Sequence, residues 1–237
     1  KISNSSNLNQ AISKSIAIDG PTASGKTTLG RGLADELKIG FFDTGLMYRA
    51  ATLSILQNNI SLSSEQKIIS HINDITLEVI WEVFSQPEVK IDGINITSQL
   101  KDKVIEDNVS TISKIPEVRS FMVDYQRNHA KQSPIVMAGR DIGTRVLVES
   151  KVKFFLHASP EIRASRRQDE LKASGDMRSF EEVLQQTKKR DRLDQTGKRA
   201  ILIEQAAPDA QVIRTENLTI NELIKHCSKI YNELIEK

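Results

Sequence analysis

One cysteine in 237 residues, Cys227, excludes an intramolecular disulfide framework and any thiolate-rich zinc site. It reads as an ordinary helix residue and fits a reducing, cytoplasmic setting. The four histidines, His71, His129, His157 and His226, are widely spread and lack metal-ligand spacing. No apolar run approaches the ~18 residues of a membrane span. Lys1 to Ser15 is rich in Ser and Asn and lacks a long apolar core, so it does not read as a signal peptide. Residues 1–14 are expected to be a disordered lead. There is no internal repeat and no low-complexity core. The formal net charge is only +2, too slight for a DNA-wrapping protein. No nucleic-acid or membrane partner is expected, and a monomer is. What is present is ordinary for a globular chain: 38% hydrophobic and 27% charged residues, enough apolar side chain to offset chain entropy.

The pattern along the chain alternates strands and helices. Ser15 to Asp19 is a short apolar strand, and Gly20 to Gly25 a glycine-punctuated loop. Thr27 to Leu37 places Leu29, Leu33 and Leu37 at helical spacing. Phe41-Phe42 predicts a second strand and Tyr48 to Gln57 a helix. Residues 59–115 differ. Ser61 to Ile72 reads as helix, while Thr76 to Phe84 and Glu88 to Asp92 alternate as strands do. Asp92-Gly93 is a hairpin-type turn before Ile94 to Ile96. This β-containing stretch is expected to be an inserted subdomain. Beyond it, Val118 to His129 predicts a helix, Pro134 to Ala138 a buried strand, and Val152 to His157 another. Pro160 to Ala173 and Phe180 to Arg190 are helical, Gln211 to Thr215 is a strand, and Ile220 to Ile235 an amphipathic helix. The alternation predicts a parallel sheet covered on both faces. Trp81 and the Phe residues are expected in the core.

One motif carries specific chemistry. Gly20-Pro21-Thr22-Ala23-Ser24-Gly25-Lys26-Thr27 fits G-x-x-x-x-G-K-[ST] at every fixed position. The glycines let backbone N–H groups turn inward around phosphate oxygens, and the helix N-terminus adds partial positive charge. Lys26 is placed to reach the β- and γ-phosphates, and the Thr27 hydroxyl to ligate Mg²⁺. A strand before and a helix after complete the context. A GTPase would need an N-K-x-D stretch to read guanine, and no Asn-Lys pair occurs.

The arginines suggest a second, anionic substrate. Arg49 lies just past the second strand. Arg140 and Asp141 follow a buried strand, at the end where open α/β sheets bind ligands. Arg163, Arg166 and Arg167 share one helix, and Arg190, Arg192 and Asp194 end another. Phosphoryl transfer between two polyanions needs several such cations, because positioning and electrostatics supply most of the catalysis.

From Ile16 to Leu234 the sequence resembles the bacterial cytidylate kinases, members of the nucleoside-monophosphate kinase group. The matching stretches are IAIDGPTASGKTT, FFDTGLMYR, SKIPEVR, AGRDIGT, VKFFLHASPEIRASRR, KKRDRLD and APDAQVI, in that order. The resemblance implies an α/β P-loop fold in three layers, with a five-stranded parallel core sheet in residues 15–58 and 116–237. It implies a lid at about 166–180 and a monophosphate-binding insert at about 59–115. The implied reaction is transfer of the γ-phosphoryl of ATP to CMP or dCMP with Mg²⁺. By the same resemblance, Thr44 and Arg49 hold the acceptor nucleotide. Ser110, Arg119 and Asp141 read cytosine. Arg140 and Arg190 contact phosphate beside Arg49, and Asp194 contacts the sugar. Arg163, Arg166 and Arg167 close over the triphosphate. The catalytic cations are then Lys26, Arg140 and Arg190.

Some positions depart from the family pattern. Thr27 stands where the family usually has Gly, so Thr27 and Thr28 both remain candidates for Mg²⁺. Thr44 replaces a usual Ser and keeps the hydroxyl. The segment after Asp194 is extended by two, which leaves Arg199 or Lys198 for a phosphate or sugar contact. From the residues alone, another P-loop kinase (for UMP, AMP or shikimate) and a nucleotide-sensing binding protein also stay open. The cations at 188–199 could form a nucleic-acid patch but read better as lid and helix end.

Overall fold

The computed structural model describes residues 10–80, 87–196 and 202–236. Five short strands form the centre: β1 (Ile16–Asp19), β2 (Gly40–Asp43), β6 (Ile135–Gly139), β7 (Val152–His157) and β8 (Gln211–Arg214). They run in the order β2-β6-β1-β7-β8, and every pairing is parallel. The expected five-stranded parallel core is therefore the architecture observed.

Strand alternation fills both faces of this sheet. Ile16, Ile18, Val136, Ala138, Phe154 and Leu156 point to one side. There they meet helices α1 (Lys26–Leu37) and α8 (Ile220–Ile235), through Leu29, Leu33, Leu223 and Cys227. Ala17, Phe42, Ile135 and Met137 point to the other. Helices α2 (Gly45–Gln57), α3 (Glu65–Asp74), α4 (Lys103–Ser113) and α5 (Pro116–Ala130) build the core on that side. A sheet buried on both faces explains why its strands read as continuous apolar runs.

The stretch between α3 and α4 carries a separate antiparallel sheet of β3 (Leu77–Ile80), β4 (Glu88–Ile91) and β5 (Ile94–Asn95). Val79 pairs with Val89, and Asp92 takes the positive φ expected of a turn residue before Gly93. The far end of the strand expected over Thr76 to Phe84, with Trp81, lies outside the described residues. The sequence did not signal α4. Its Val104, Ile105, Val109, Thr111 and Ile112 are β-branched and weak helix formers. Burial of Ile105, Val109 and Ile112, at i, i+4 and i+7, overrides that preference.

Helices α6 (Pro160–Ala173) and α7 (Phe180–Thr196) pack against each other through Ala164, Leu171, Val183 and Leu184. Helix α7 runs past its expected end at Arg190. Residues 10–13, expected within the disordered lead, are helical, and Ile12 is fully buried in the core.

Candidate active site

Parallel strands end together, and here their carboxyl ends face one cleft. Asp19 at the end of β1 is level with Gly139 at the end of β6, so the loop after each strand meets the other. Gly20 (φ 144°), Ala23 (φ 58°) and Gly25 (φ 99°) give the first loop its inward turn. A Cβ on Gly20 would lie 3.1 Å from the Ser24 hydroxyl, besides striking the Leu156 carbonyl. Helix α1 starts directly after Gly25 with no side-chain cap, so its first N–H groups have no intrahelical partner. Ser24 is fully buried and its hydroxyl has no hydrogen-bond partner. Open N–H groups at the start of α1, around a glycine cradle, fit a phosphate.

Lys26 donates to the Pro21 carbonyl at 2.6 Å across this loop. Burial, then the neighbouring Arg140 guanidinium, push its ammonium down to about 7. Thr27 donates through Oγ1 to Asp43 Oδ2 at 2.8 Å, while Asp43 Oδ1 accepts from Gly45 N at 3.0 Å. A hydroxyl and a carboxylate side by side at the phosphate loop are hard oxygen donors, the kind Mg²⁺ takes. Thr28 lines the same cleft but is more exposed. Among the described residues no group of three or more His, Cys, Asp or Glu gathers as a metal cage.

The loop after β6 is anchored from below. Asp19, buried, accepts from Ile142 N at 2.8 Å and Gly143 N at 2.7 Å. Burial pushes its carboxyl up to about 6, against the lowering pull of those two N–H donors. This anchor holds Arg140 and Asp141. Arg140 binds the Thr22 hydroxyl and pairs with Asp194 of α7. Asp141 pairs with Arg119 of α5 at 2.5 Å, and both are buried.

The cleft between these parts has a volume of ≈ 680 Å³. That lies within the usual size of a small-molecule site. Thr44, Arg49, Arg140, Asp141, Arg167 and Arg190 line it together with Thr22, Ala23 and Gly25 to Thr28. Thr44 donates to the Ala138 carbonyl at 3.0 Å, and Arg49 to the Leu100 carbonyl at 3.2 Å. Ser110, Arg119 and Asp194 lie behind this lining.

The three arginines of α6 separate. Arg163 is buried, bound to Asp191 at 2.6 Å, to the Ala158 carbonyl and to the Thr22 carbonyl under the phosphate loop. Its donors are directed at protein atoms. Arg166 bridges Thr215 and the Ser24 carbonyl. Arg167 faces the cleft. Lys198 and Arg199 lie outside the described residues.

The family model for cytidylate kinase matches residues 16–233. The chain belongs to the cytidylate kinase family. Individual relatives agree over nearly their whole lengths. The cytidylate kinase of Caldanaerobacter subterraneus subsp. tengcongensis is 42% identical over 213 residues, 89% of this chain and 91% of that one. That of Corynebacterium efficiens is 39% identical over 223 residues, 94% and 96% of the two chains. That of Geobacillus kaustophilus is 39% identical over 221 residues, 93% and 97%.

Several residues of this cytidylate kinase family member that bear on the site went unassigned in the sequence. Asp19 and Asp43 were visible as the acidic ends of strands β1 and β2. Glu106, Ser113 and Arg178 line the cleft without any local signal, because α4 and the loop before α7 meet the site only through packing.

Proposed function

We propose that the chain transfers the γ-phosphoryl of ATP to CMP or dCMP, giving ADP and CDP or dCDP. Membership of the cytidylate kinase family supports the reaction class. The observation that carries the substrate reading is the buried Arg119–Asp141 pair beside a cationic cleft facing the phosphate loop.

The base is read by donor and acceptor matching. Asp141 accepts from the exocyclic amino group of cytosine, and Arg119 donates toward O2 and N3. Uracil presents a carbonyl to Asp141 instead, and an unpaired buried acceptor costs about 1–3 kcal/mol. Ser110 and Ser113, one turn apart on α4, add hydroxyls on that side. Thr44, Arg49 and Arg140 hold the acceptor phosphate with Arg190, and Asp194 or a residue near 198–199 serves the sugar. Residues 59–115 act as the acceptor-binding insert, and 166–180 as the lid that excludes water.

The donor lies on the phosphate loop from Gly20 to Thr28. Its β- and γ-phosphates meet the N–H groups of α1 and Lys26. Thr27, with Asp43 beside it, would hold Mg²⁺, which when bound offsets phosphate charge. An oxygen of the CMP phosphate attacks the γ-phosphorus, and the bond to the β–γ bridging oxygen breaks as ADP leaves. The nucleophile is already an anion, so no general base is required. Lys26, Arg140 and Arg190 neutralise charge that develops on the transferring group.

The test is ADP formation from Mg-ATP with CMP, dCMP, UMP and AMP offered separately. Turnover led by CMP and dCMP is expected. Turnover led by UMP or AMP would overturn the base assignment, and none with any acceptor would overturn the reaction.

A further inference from the structure

Glu106 reaches the cleft from α4 and meets two arginines that come from other helices. Arg167 of α6 places Nη2 2.7 Å from both Oε1 and Oε2 of Glu106. Arg190 of α7 lies 3.6 Å from Oε1. Arg167 is also held by Glu170 at 2.9 Å. The three meeting side chains line the cleft and are shielded, with 21% exposure for Glu106 and Arg190 and 29% for Arg167.

Two guanidinium groups converging in a shielded cleft repel each other unless an anion stands between them. A carboxylate carries the charge sign of a phosphate and presents two acceptor oxygens as a phosphate does. Glu106 therefore presents to Arg167 and Arg190 the charge sign and the acceptor oxygens that a phosphate would. Other buried pairs in the site differ. Arg163–Asp191 and Arg140–Asp194 use carboxylates of α7 that lie behind the cleft wall. Glu106 stands on the wall itself.

We propose that Glu106 is a positioning residue that acts as the resident counter-anion of Arg167 and Arg190. It sets the two arginines in the empty cleft and is exchanged for nucleotide phosphates on binding. Small free anions must displace Glu106 with no help from the rest of a nucleotide, so the carboxylate screens the cleft against them. Nucleotides overcome it through their base and sugar contacts. This rests on the proposed kinase reading, because it takes the competing ligands to be nucleotide phosphates.

The experiment is calorimetric titration of the full chain with pyrophosphate, with no nucleotide present, for the wild type, Glu106→Gln, Glu106→Ser and Glu106→Asp. Glu106→Gln and Glu106→Ser should each bind pyrophosphate about tenfold more tightly. That is the scale of removing one partly screened charge a few ångströms from the ligand. Glu106→Asp keeps the anion and should stay within about twofold of the wild type. In steady-state kinetics Glu106→Gln should lower KM for nucleotide without raising kcat. Unchanged or weaker pyrophosphate binding in the variants that fold overturns the proposal. The Gln and Ser variants differ in size, so a packing failure in one leaves the other to decide. Pyrophosphate binding is read without turnover. A chain that fails to phosphorylate CMP therefore overturns the kinase reading and leaves this result standing.

Discussion

The two ends of the cleft are built on opposite electrostatic plans. At the donor end, one contiguous loop leaves the first N–H groups of α1 open beside Lys26, which has a weakened hold on its proton. At the acceptor end, cations arrive already balanced. Arg119 rests on Asp141, Arg140 on Asp194, and Arg167 and Arg190 on Glu106. The donor end thus gains interactions when phosphate arrives, whereas the acceptor end exchanges them. The difference teaches why charge count alone misjudges such a site. A net charge of +2 coexists with a cleft rich in arginine, because most of these arginines meet a carboxylate.

The largest effect should come from breaking a balanced pair. Arg119→Ala leaves Asp141 buried without its partner, which should cost about 3–5 kcal/mol of stability in denaturant unfolding. A loss below about 1 kcal/mol would mean that water already reaches the pair. At the donor end, Lys26→Met should spare the fold and remove charge stabilisation from the transferring group. A kcat loss of roughly 10²–10³-fold is expected, with little change in the unfolding midpoint. If Lys26→Met unfolded as readily as Arg119→Ala, the contrast between the two ends would fail.

A smaller effect sharpens the acceptor end. Asp141→Asn keeps the shape and removes the obligate acceptor, so discrimination of CMP over UMP should fall by roughly tenfold or more, within the ~1–3 kcal/mol of one unsatisfied polar group. An unchanged CMP-to-UMP ratio of kcat/KM would remove Asp141 from base reading.

The smallest effect is a proton. Lys26 in the empty cleft sits at about 7, below its ordinary value, so at pH 8 it is mostly neutral. Bound phosphate favours the ammonium and raises its pKa, so ATP binding should take up protons at pH 8. At pH 6 Lys26 is already charged, and the uptake from this group should vanish. Calorimetry in buffers of different ionisation enthalpy reads this directly. Uptake that persists at pH 6 would point to another group.

The same contrast separates what was legible in the residues from what was not. Gly20 to Thr27 could be read outright, because a phosphate loop is local: its glycines, lysine and threonine act on neighbours in the chain. Strand and helix order was also legible, since apolar periodicity records burial. Helix α4 was not, because its β-branched residues argue against the helix that tertiary burial imposes. The roles expected of the α6 arginines could not be told apart by spacing. Arg163 and Arg167 are four residues apart, yet one donates to the Thr22 carbonyl and the other faces the cleft.

By itself the sequence determined the phosphate-binding loop, the parallel α/β architecture and the kinase family, all carried by short contiguous segments. Only the tertiary structure decided which carboxylate each arginine meets. It brought Asp43 to Thr27, Asp19 to the loop after β6, and Glu106 to Arg167 and Arg190. Those pairings join residues 16 to 124 positions apart, and attraction between charges acts through space, with no regard for position along the chain.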